Sequence, residues 1–456
     1  MELTLERLAE MKLGDYLGQH YSCACGKEHF MDMDSVVIEP GAILGIVETV
    51  RAYKAQEPLI IADENTYEAA GRRVAGLLSA AGIKYRQHIF PRHPALVPDE
   101  AAAGGILYAV GEKTDLLLAI GTGVINDLVK YVSRRVGIPE VLVATAPSMD
   151  GFVSDGSAPT VGNLKASYRC NLPRTILADT DVLKEAPEEM ILAGVGDIVG
   201  KYSALTDWEL SRIVNGEYYC PLTAKITSDV LEQCVAGLDG IKKREPASVN
   251  NIMDGLIRTG IAMSYVNNSR PASGSEHHFS HYLEMQYLLQ GKAALLHGTK
   301  VGIASIIVAR LYEALAKEEP DFDAAEAHAY AFDLGEWERT VREYYGAAAD
   351  EVIKASRTDK RNDMEERLQR IRSIKAHWEE IRALAARAKS VAFLEDLFRR
   401  AGAPLRPKDV GMDNKLLHDA MFIGREVRTR YTIIRLIEDL GLTDKYTAVV
   451  DDFLTD

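Results

Sequence analysis

Hydrophobic and polar positions follow two different patterns along the chain, one after the other. Between about residues 36 and 180, short apolar runs alternate with stretches of helical spacing, which is typical of β–α–β units. The apolar runs that indicate buried strands are 58–62, 116–120, 141–144 and 175–177. Residues 68–81 have the spacing of an amphipathic helix, and Gly82 is a suitable stop for it. This pattern predicts a mostly parallel sheet covered by helices.

Nearly all of the chain after residue 186 has helical spacing. Apolar residues at 364, 368, 371, 374, 378, 381 and 384 trace one helix face, and a similar pattern runs from Leu416 to Leu440 before Gly441. We therefore expect an N-terminal α/β domain of the Rossmann-like, nucleotide-binding class over residues 1–186. An all-helical domain is expected over residues 187–456, with the active site in the cleft between the two.

The charge balance limits the classes of partner. Acidic residues number 67 against 53 Lys and Arg, and the resulting net charge of −14 argues against nucleic acid or an anionic membrane as the main partner. No apolar run approaches the roughly 18 to 20 residues of a membrane span, and the first residues lack the apolar stretch of a secretory signal. With an odd number of cysteines, five, these features predict a cytoplasmic protein with reduced thiols.

Two predicted strands end in groups that suit a dinucleotide. Gly121-Thr122-Gly123 lies where a strand becomes a helix, and backbone N–H groups in such a turn can approach a pyrophosphate. The third glycine of the usual fingerprint is missing, so a simple turn explains the segment equally well. Asp63 follows the first strand, where it can bind an adenosine ribose hydroxyl or cap the next helix. The segment TAPSMDGF, residues 145–152, follows the third strand and is a ligand loop or a plain turn.

Three separated segments offer ligands for a divalent metal ion. Asp197, His277 and His297 supply one carboxylate oxygen and two imidazole nitrogens, a set that suits zinc, nickel or iron with coordination positions left open. On a helix, His281 shares the face of His277, whereas His278 points about 100° away. Spacing alone leaves open that these are ordinary polar positions on helices.

A second group of metal-binding residue types lies near the N-terminus. Cys23, Cys25 and His29 fall within seven residues of one another. They suit a second metal site or a redox pair, and a hairpin turn at Gly26 is the alternative.

Five motifs in this order resemble the glycerol-1-phosphate dehydrogenases, within the superfamily of iron-containing alcohol dehydrogenases and dehydroquinate synthases. They are GTGxxND, TAPSMDGF, GxGD, SGSEHxFSH and LHG, and the resemblance, closest to the bacterial arabinose-operon type, covers about residues 35 to 310. It implies NAD as coenzyme, with NADP as an alternative, and one divalent ion, zinc or nickel, with iron as an alternative. The implied reaction reduces dihydroxyacetone phosphate to sn-glycerol-1-phosphate, and the implied assembly is a homodimer.

The resemblance also implies a role for individual residues. The coenzyme pyrophosphate would lie on Gly121, Thr122, Gly123, Val124 and Ile125, and the nicotinamide side would be lined by Thr145, Ser148 and Ser154. Asp63 would favour NAD, Asp150 and His281 would contact the substrate, and Asp197, His277 and His297 would bind the metal. Thr122 stands where the family usually has the middle glycine of three. The substrate phosphate needs cations, for which Lys165, Arg270 and Lys300 are candidates.

Three alternatives remain at this point. A glycerol dehydrogenase would share the metal and coenzyme residues without needing a phosphate site. A dehydroquinate-synthase-like lyase would carry a glutamate in an AExxK setting, whereas here the segment is GDIVGK with Asp197. A catalytically silent metal- or nucleotide-binding protein would have little reason to keep the substrate and metal residues together.

Overall fold

The apolar runs of the first half form strands in the computed structural model, which describes residues 1–157, 159–161, 164–165 and 168–455. In chain order the strands are β1 (Glu2–Leu3), β2 (His20–Cys23), β3 (Glu28–Phe30), β4 (Ser35–Glu39), β5 (Leu59–Asp63), β6 (Arg86–Phe90), β7 (Leu117–Gly121), β8 (Glu140–Ala144), β9 (Gly156–Ser157), β10 (Thr160–Val161), β11 (Leu164–Lys165), β12 (Tyr168–Arg169) and β13 (Thr175–Asp179).

The helices are α1 (Leu5–Glu10), α2 (Ile46–Ala52), α3 (Glu64–Thr66), α4 (Arg72–Ala80), α5 (Glu100–Ala109), α6 (Gly123–Val136), α7 (Thr180–Leu183), α8 (Glu188–Val199), α9 (Lys201–Asn215), α10 (Pro221–Ala236), α11 (Pro246–Val266), α12 (Ser275–Leu289), α13 (His297–Leu315), α14 (Phe322–Tyr330), α15 (Leu334–Tyr345), α16 (Ala349–Thr358), α17 (Met364–Ala376), α18 (Trp378–Arg387), α19 (Val391–Ala401), α20 (Asn414–Ile423), α21 (Ile433–Asp439) and α22 (Thr443–Thr455). None of those in the described parts of the chain combines the length and apolar composition that a bilayer span needs.

Six parallel strands form the main sheet, in the order β4-β13-β8-β7-β5-β6. The inner strands β5, β7 and β8 are apolar at almost every position because both faces of a parallel sheet are covered. Residues such as Ile60 pack with α2 and α4, while the alternate Leu59 and Ile61 are fully buried on the opposite face. The predicted α/β architecture is therefore confirmed.

The two edge strands, β4 and β6, are less buried than the inner strands and lack their nearly continuous apolar composition. Strand β6 has the sequence RQHIF, and its first two side chains are exposed. An edge strand pairs on one side only and has less apolar surface to bury, so its composition is closer to that of a loop.

The chain divides into two compact units. The first consists of Met1–Ile198 and Pro221–Ser269, and the second of Val199–Cys220 and Arg270–Asp456. This division differs from the expected boundary at residue 187, because helices α10 and α11 belong to the first unit. Helix α11 packs against α10, β4 and the 3-10 turn Gly151–Val153, which explains why it belongs with the sheet.

The second unit is helical, as expected, but its helices are shorter than the apolar pattern suggests. The face traced from 364 to 384 belongs to two helices, α17 and α18, which are separated at His377. The pattern from Leu416 to Leu440 is also interrupted, since an irregular segment of residues 424–432 lies between α20 and α21. Gly441, at φ of +70°, ends the second of these helices as predicted.

Candidate active site

The glycine turn and the 145–148 loop lie side by side in the first unit. The Thr145 amide donates to the Gly121 carbonyl at 3.1 Å, and the Thr122 and Ser148 hydroxyl oxygens are 2.8 Å apart. Helix α6 begins at Gly123, so its first N–H groups belong to the turn itself. Residues proposed for the pyrophosphate and for the nicotinamide side therefore share one edge of the sheet, next to a helix N-terminus that favours anions.

The structure explains which glycine this turn requires. A Cβ on Gly121 would lie 2.7 Å from the Cβ of Ile125, so only glycine allows helix α6 to approach the strand this closely. Thr122 has a negative φ of −127°, so the position does not need the left-handed conformation that favours glycine. The departure from the family pattern at Thr122 is therefore compatible with the turn. Ile125 is buried, and Val124 is partly exposed.

Asp63 is the last residue of β5 and caps the following helix. Its Oδ1 accepts a hydrogen bond from the Thr66 amide at 2.8 Å, and its own amide donates to the Thr66 hydroxyl at 3.0 Å. The capping alternative is thus present in the structure. A ribose contact uses the same carboxylate and stays a prediction.

The loop that carries Asp150 is fixed from two sides within the first unit. The Asp150 amide donates to Asp197 Oδ2 on helix α8 at 2.9 Å, and both residues are buried. A Cβ on Gly194, one turn earlier on α8, would collide with the Pro147 carbonyl oxygen. The hydrogen bond from the Asp150 amide therefore fixes both the loop and the carboxylate of Asp197.

A buried lysine that the sequence analysis missed organises the end of the same loop. Lys130 Nζ donates to the carbonyl oxygens of Gly151, Ser154 and Gly156 at 2.9 to 3.1 Å, and pairs with Asp127 at 3.1 Å. Ser154 in turn accepts from the Gly156 amide through its hydroxyl. A lysine three residues after Asp127 on a helix has the usual spacing of a solvated ion pair, so no pattern in the sequence signals its burial.

Three predicted histidines come together in the second unit. The ring centroids of His277 and His297 are 5.0 Å apart, and His281 lies 5.7 Å from the first and 5.6 Å from the second. His277 and His297 offer ligand nitrogens within 4.8 Å of each other. Helix α12 carries two of the three histidines at the predicted spacing of four, and the third is the first residue of α13.

Carboxylates orient two of these rings. Glu276 Oε1 lies 2.7 Å from Nδ1 of His277, and Glu284 Oε1 lies 2.8 Å from Nδ1 of His297. A carboxylate at Nδ1 holds the proton on that nitrogen and leaves the lone pair on Nε2. This is the usual arrangement around histidines that bind metals.

His281 has the opposite tautomer. Nε of Arg428 donates to its Nδ1 at 2.9 Å, so the ring proton lies on Nε2. Burial and the nearby positive charge of Arg428 lower the pKa of His281 well below its usual value, and the ring is neutral. The predicted shared face of His277 and His281 is confirmed by the contact between their rings, and His278 is fully buried.

The irregular segment 424–432 brings arginines to the histidines. Arg430 donates to the Ser273 carbonyl, and burial together with the charges of Arg428 and Arg270 lowers the pKa of Arg430 to about 9. Arg428 and Arg430 were not predicted as site residues because they fall inside the helical pattern from Leu416 to Leu440, where arginine is a common surface residue.

Two of the cations proposed from sequence for the phosphate have protein partners. Arg270 binds Glu217 through two guanidinium nitrogens and donates to the Tyr431 carbonyl. Lys300 donates to the Leu295 carbonyl at 2.6 Å and pairs with Glu284 at 3.2 Å. The side chain of Lys165 lies outside the described residues.

Comparison with known proteins gives one consistent family. Residues 37–187 match the family model described as iron-containing alcohol dehydrogenase. A glycerol-1-phosphate dehydrogenase (NAD(P)+) of Bacillus velezensis is 38% identical over 291 residues, which are 63% of this chain and 74% of the relative. A protein of the same name from Bacillus licheniformis is 30% identical over 424 residues, 92% of this chain and 93% of the relative.

Solved structures agree at the level of the fold. A probable glycerol dehydrogenase from Sinorhizobium meliloti superimposes with a TM-score of 0.58 at 14% identity, covering 93% of this chain and 97% of the other. A maleylacetate reductase from a Rhizobium strain gives the same TM-score and identity, with 94% and 97% covered. The chain belongs to the glycerol-1-phosphate dehydrogenase family, within the iron-containing alcohol dehydrogenases.

Proposed function

We propose that this chain reduces dihydroxyacetone phosphate to sn-glycerol-1-phosphate with NADH or NADPH and a divalent metal ion, zinc or nickel. The observation that carries the proposal is the histidine pair His277 and His297, whose Nδ1 atoms are both held by carboxylates. The name shared by the relatives supports the substrate and the coenzyme. A glycerol dehydrogenase is the second candidate, since structures of that kind share the fold.

The proposed metal ligands are Asp197, His277 and His297. Both histidines present the Nε2 lone pair that a divalent ion needs, and imidazole with carboxylate suits zinc, nickel and iron. Asp197 is buried and its Oδ2 accepts the Asp150 amide, which is how a ligating carboxylate is usually held. When bound, the ion supplies Lewis-acid polarisation of the ketone oxygen, and the nicotinamide supplies the hydride.

The first unit would bind the coenzyme. The N–H groups at Gly123, Val124 and Ile125 open helix α6 and would hold the pyrophosphate, while Thr145, Ser148 and Ser154 would line the nicotinamide. Asp63 would hydrogen-bond the ribose and disfavour a 2′-phosphate.

His281 would position the substrate oxygen. Arg428 occupies its Nδ1, so its Nε2–H is the group that can donate to a substrate or return a proton to the product oxygen. Asp150, fixed through its backbone amide, would contact the substrate hydroxyl.

The substrate phosphate would bind Arg428 and Arg430. Burial first, and then the charges of Arg428 and Arg270, lower the pKa of Arg430, so its buried charge lies among like charges. A phosphate dianion would relieve that repulsion and accept charge-assisted hydrogen bonds. This observation favours a phosphorylated substrate over glycerol.

The test is NADH oxidation with dihydroxyacetone phosphate, after treatment with a chelator and separate re-addition of zinc and nickel. Activity that is lost with the chelator and restored by one ion supports the metal-dependent reaction. Activity unaffected by complete metal removal would refute it.

Family resemblance also supports a homodimer in the cytoplasm, and light scattering coupled to size-exclusion chromatography would measure the dimer.

A further inference from the structure

The N-terminal hairpin places two thiols beside a buried imidazole. Strands β2 and β3 pair with Tyr21 opposite His29, and the turn between them has Gly26 at φ of +84° with its amide donating to the Cys23 carbonyl. The hairpin expected from sequence is therefore confirmed. The same turn directs Cys25 back towards the second strand, so the hairpin does not exclude a metal site.

The donor atoms form a close group within the first unit. The sulfurs of Cys23 and Cys25 and a ring nitrogen of His29 lie within 4.8 Å of one another. The Cys25 amide points at the Cys23 sulfur at 3.5 Å, and the Cys25 sulfur is 3.5 Å from His29 Nε2. A backbone N–H aimed at a cysteine sulfur stabilises a thiolate, which is the form that binds metals.

His29 is oriented as a ligand. Its Nδ1 donates to the Tyr265 carbonyl on helix α11 at 2.7 Å, and its ring stacks on that of Tyr265 with 5.2 Å between centroids. The lone pair therefore lies on Nε2, the nitrogen that faces Cys25. A backbone carbonyl that accepts from the non-ligating nitrogen is a usual partner of a metal-binding histidine. His29 is also fully buried, and a hairpin without a ligand does not require a buried histidine.

We propose that Cys23, Cys25 and His29 bind a structural zinc ion that is separate from the catalytic metal. Thiolates with imidazole are the ligand set of structural zinc sites, which take four ligands. The ion would attach the small N-terminal sheet to helix α11. This sheet has little pairing of its own, since its first strand, β1, has only two residues. Because metal binding at such a site is part of the folding free energy, the hairpin would lose stability without it.

The two other cysteines of the first unit are bonded to backbone carbonyls and do not supply the fourth ligand. Cys170 donates to the Tyr168 carbonyl and Cys234 to the Asn251 carbonyl, so both keep their protons.

The experiment uses the full-length chain, purified and loaded with cobalt in place of zinc. A thiolate bound to cobalt gives a sulfur-to-metal charge-transfer absorption in the near ultraviolet, and the proposed Asp–His catalytic site, having no sulfur ligand, cannot give it. We expect this band in the wild type, its loss in Cys25→Ser, and its retention in the matched control Cys234→Ser. Its absence from cobalt-loaded wild type, or a Cys23–Cys25 disulfide in the isolated protein, would overturn the proposal.

Metal analysis of the zinc-loaded protein separates this site from the catalytic one. His29→Gln should lose one zinc equivalent while the catalytic ion remains, and His277→Ala should lose the other equivalent while the cobalt–thiolate band remains. A zinc content that is unchanged in His29→Gln would contradict the site.

Discussion

Replacing Glu276 with glutamine should weaken metal binding without dismantling the site. Glu276 Oε1 accepts from both the Gly274 amide and His277 Nδ1, each at 2.7 Å, at a fully buried position. Glutamine keeps one oxygen for these contacts but removes the charge that makes the imidazole a better donor. Losing such a partner of a metal-binding histidine typically costs about 10- to 100-fold in metal affinity. We expect a loss in that range, equivalent to about 1.4 to 2.8 kcal/mol.

The assay is competition for zinc between the protein and a chromogenic chelator, with NADH oxidation measured at saturating metal. Glu318→Gln is the matched control, since Glu318 is a buried carboxylate of the same unit that binds Lys445 and Tyr446. Metal affinity should fall only in the first variant, and saturating metal should restore part of its activity. Equal affinity in Glu276→Gln and wild type, or an equal loss in the control, would refute the proposed role of the carboxylate.

Three further substitutions test other parts of the site. Arg430→Met should lower kcat/KM for dihydroxyacetone phosphate by about 10- to 100-fold, which is the contribution of a charge-assisted hydrogen bond. The slower turnover of dihydroxyacetone should stay nearly unchanged. Steady-state kinetics with both ketones measures this, and equal losses would show that Arg430 does not bind the phosphate. Asp63→Asn retains the cap on Thr66 but not the charge, so the kcat/KM preference for NADH over NADPH should relax without a change in melting temperature. An unchanged preference would leave Asp63 as a cap alone. His277→Ala should abolish turnover and bound catalytic metal while His278→Ala retains the metal, as elemental analysis would show, and equal metal loss in both would mean that the ligand is wrongly assigned.

The sequence predicted those parts of the fold in which burial requires apolar residues at nearly every position. Strands β5, β7 and β8 are covered on both faces, so their apolar runs could hardly be mistaken. Strands β4 and β6 bury less and carry mixed sequences, which local patterns cannot distinguish from loops. The glycine turn was located correctly, but the close contact that requires Gly121 depends on how helix α6 packs.

The candidate site shows the same division. The spacing of His277 and His281 predicted a shared helix face, and the structure places their rings together. Nothing local predicted Arg428 as the partner of His281, because 147 positions separate them in the sequence. Likewise, periodicity from Leu416 to Leu440 concealed the break at 424–432, since arginine is compatible with a helix and its burial depends on distant segments.

The most direct test of the central claim compares dihydroxyacetone phosphate with dihydroxyacetone on the metal-loaded enzyme and determines the configuration of the phosphorylated product. We predict a much higher kcat/KM for the phosphorylated ketone, with sn-glycerol-1-phosphate as the product. A preference for dihydroxyacetone would contradict the phosphate site and identify a glycerol dehydrogenase, and formation of the mirror-image phosphate would contradict the proposed reaction.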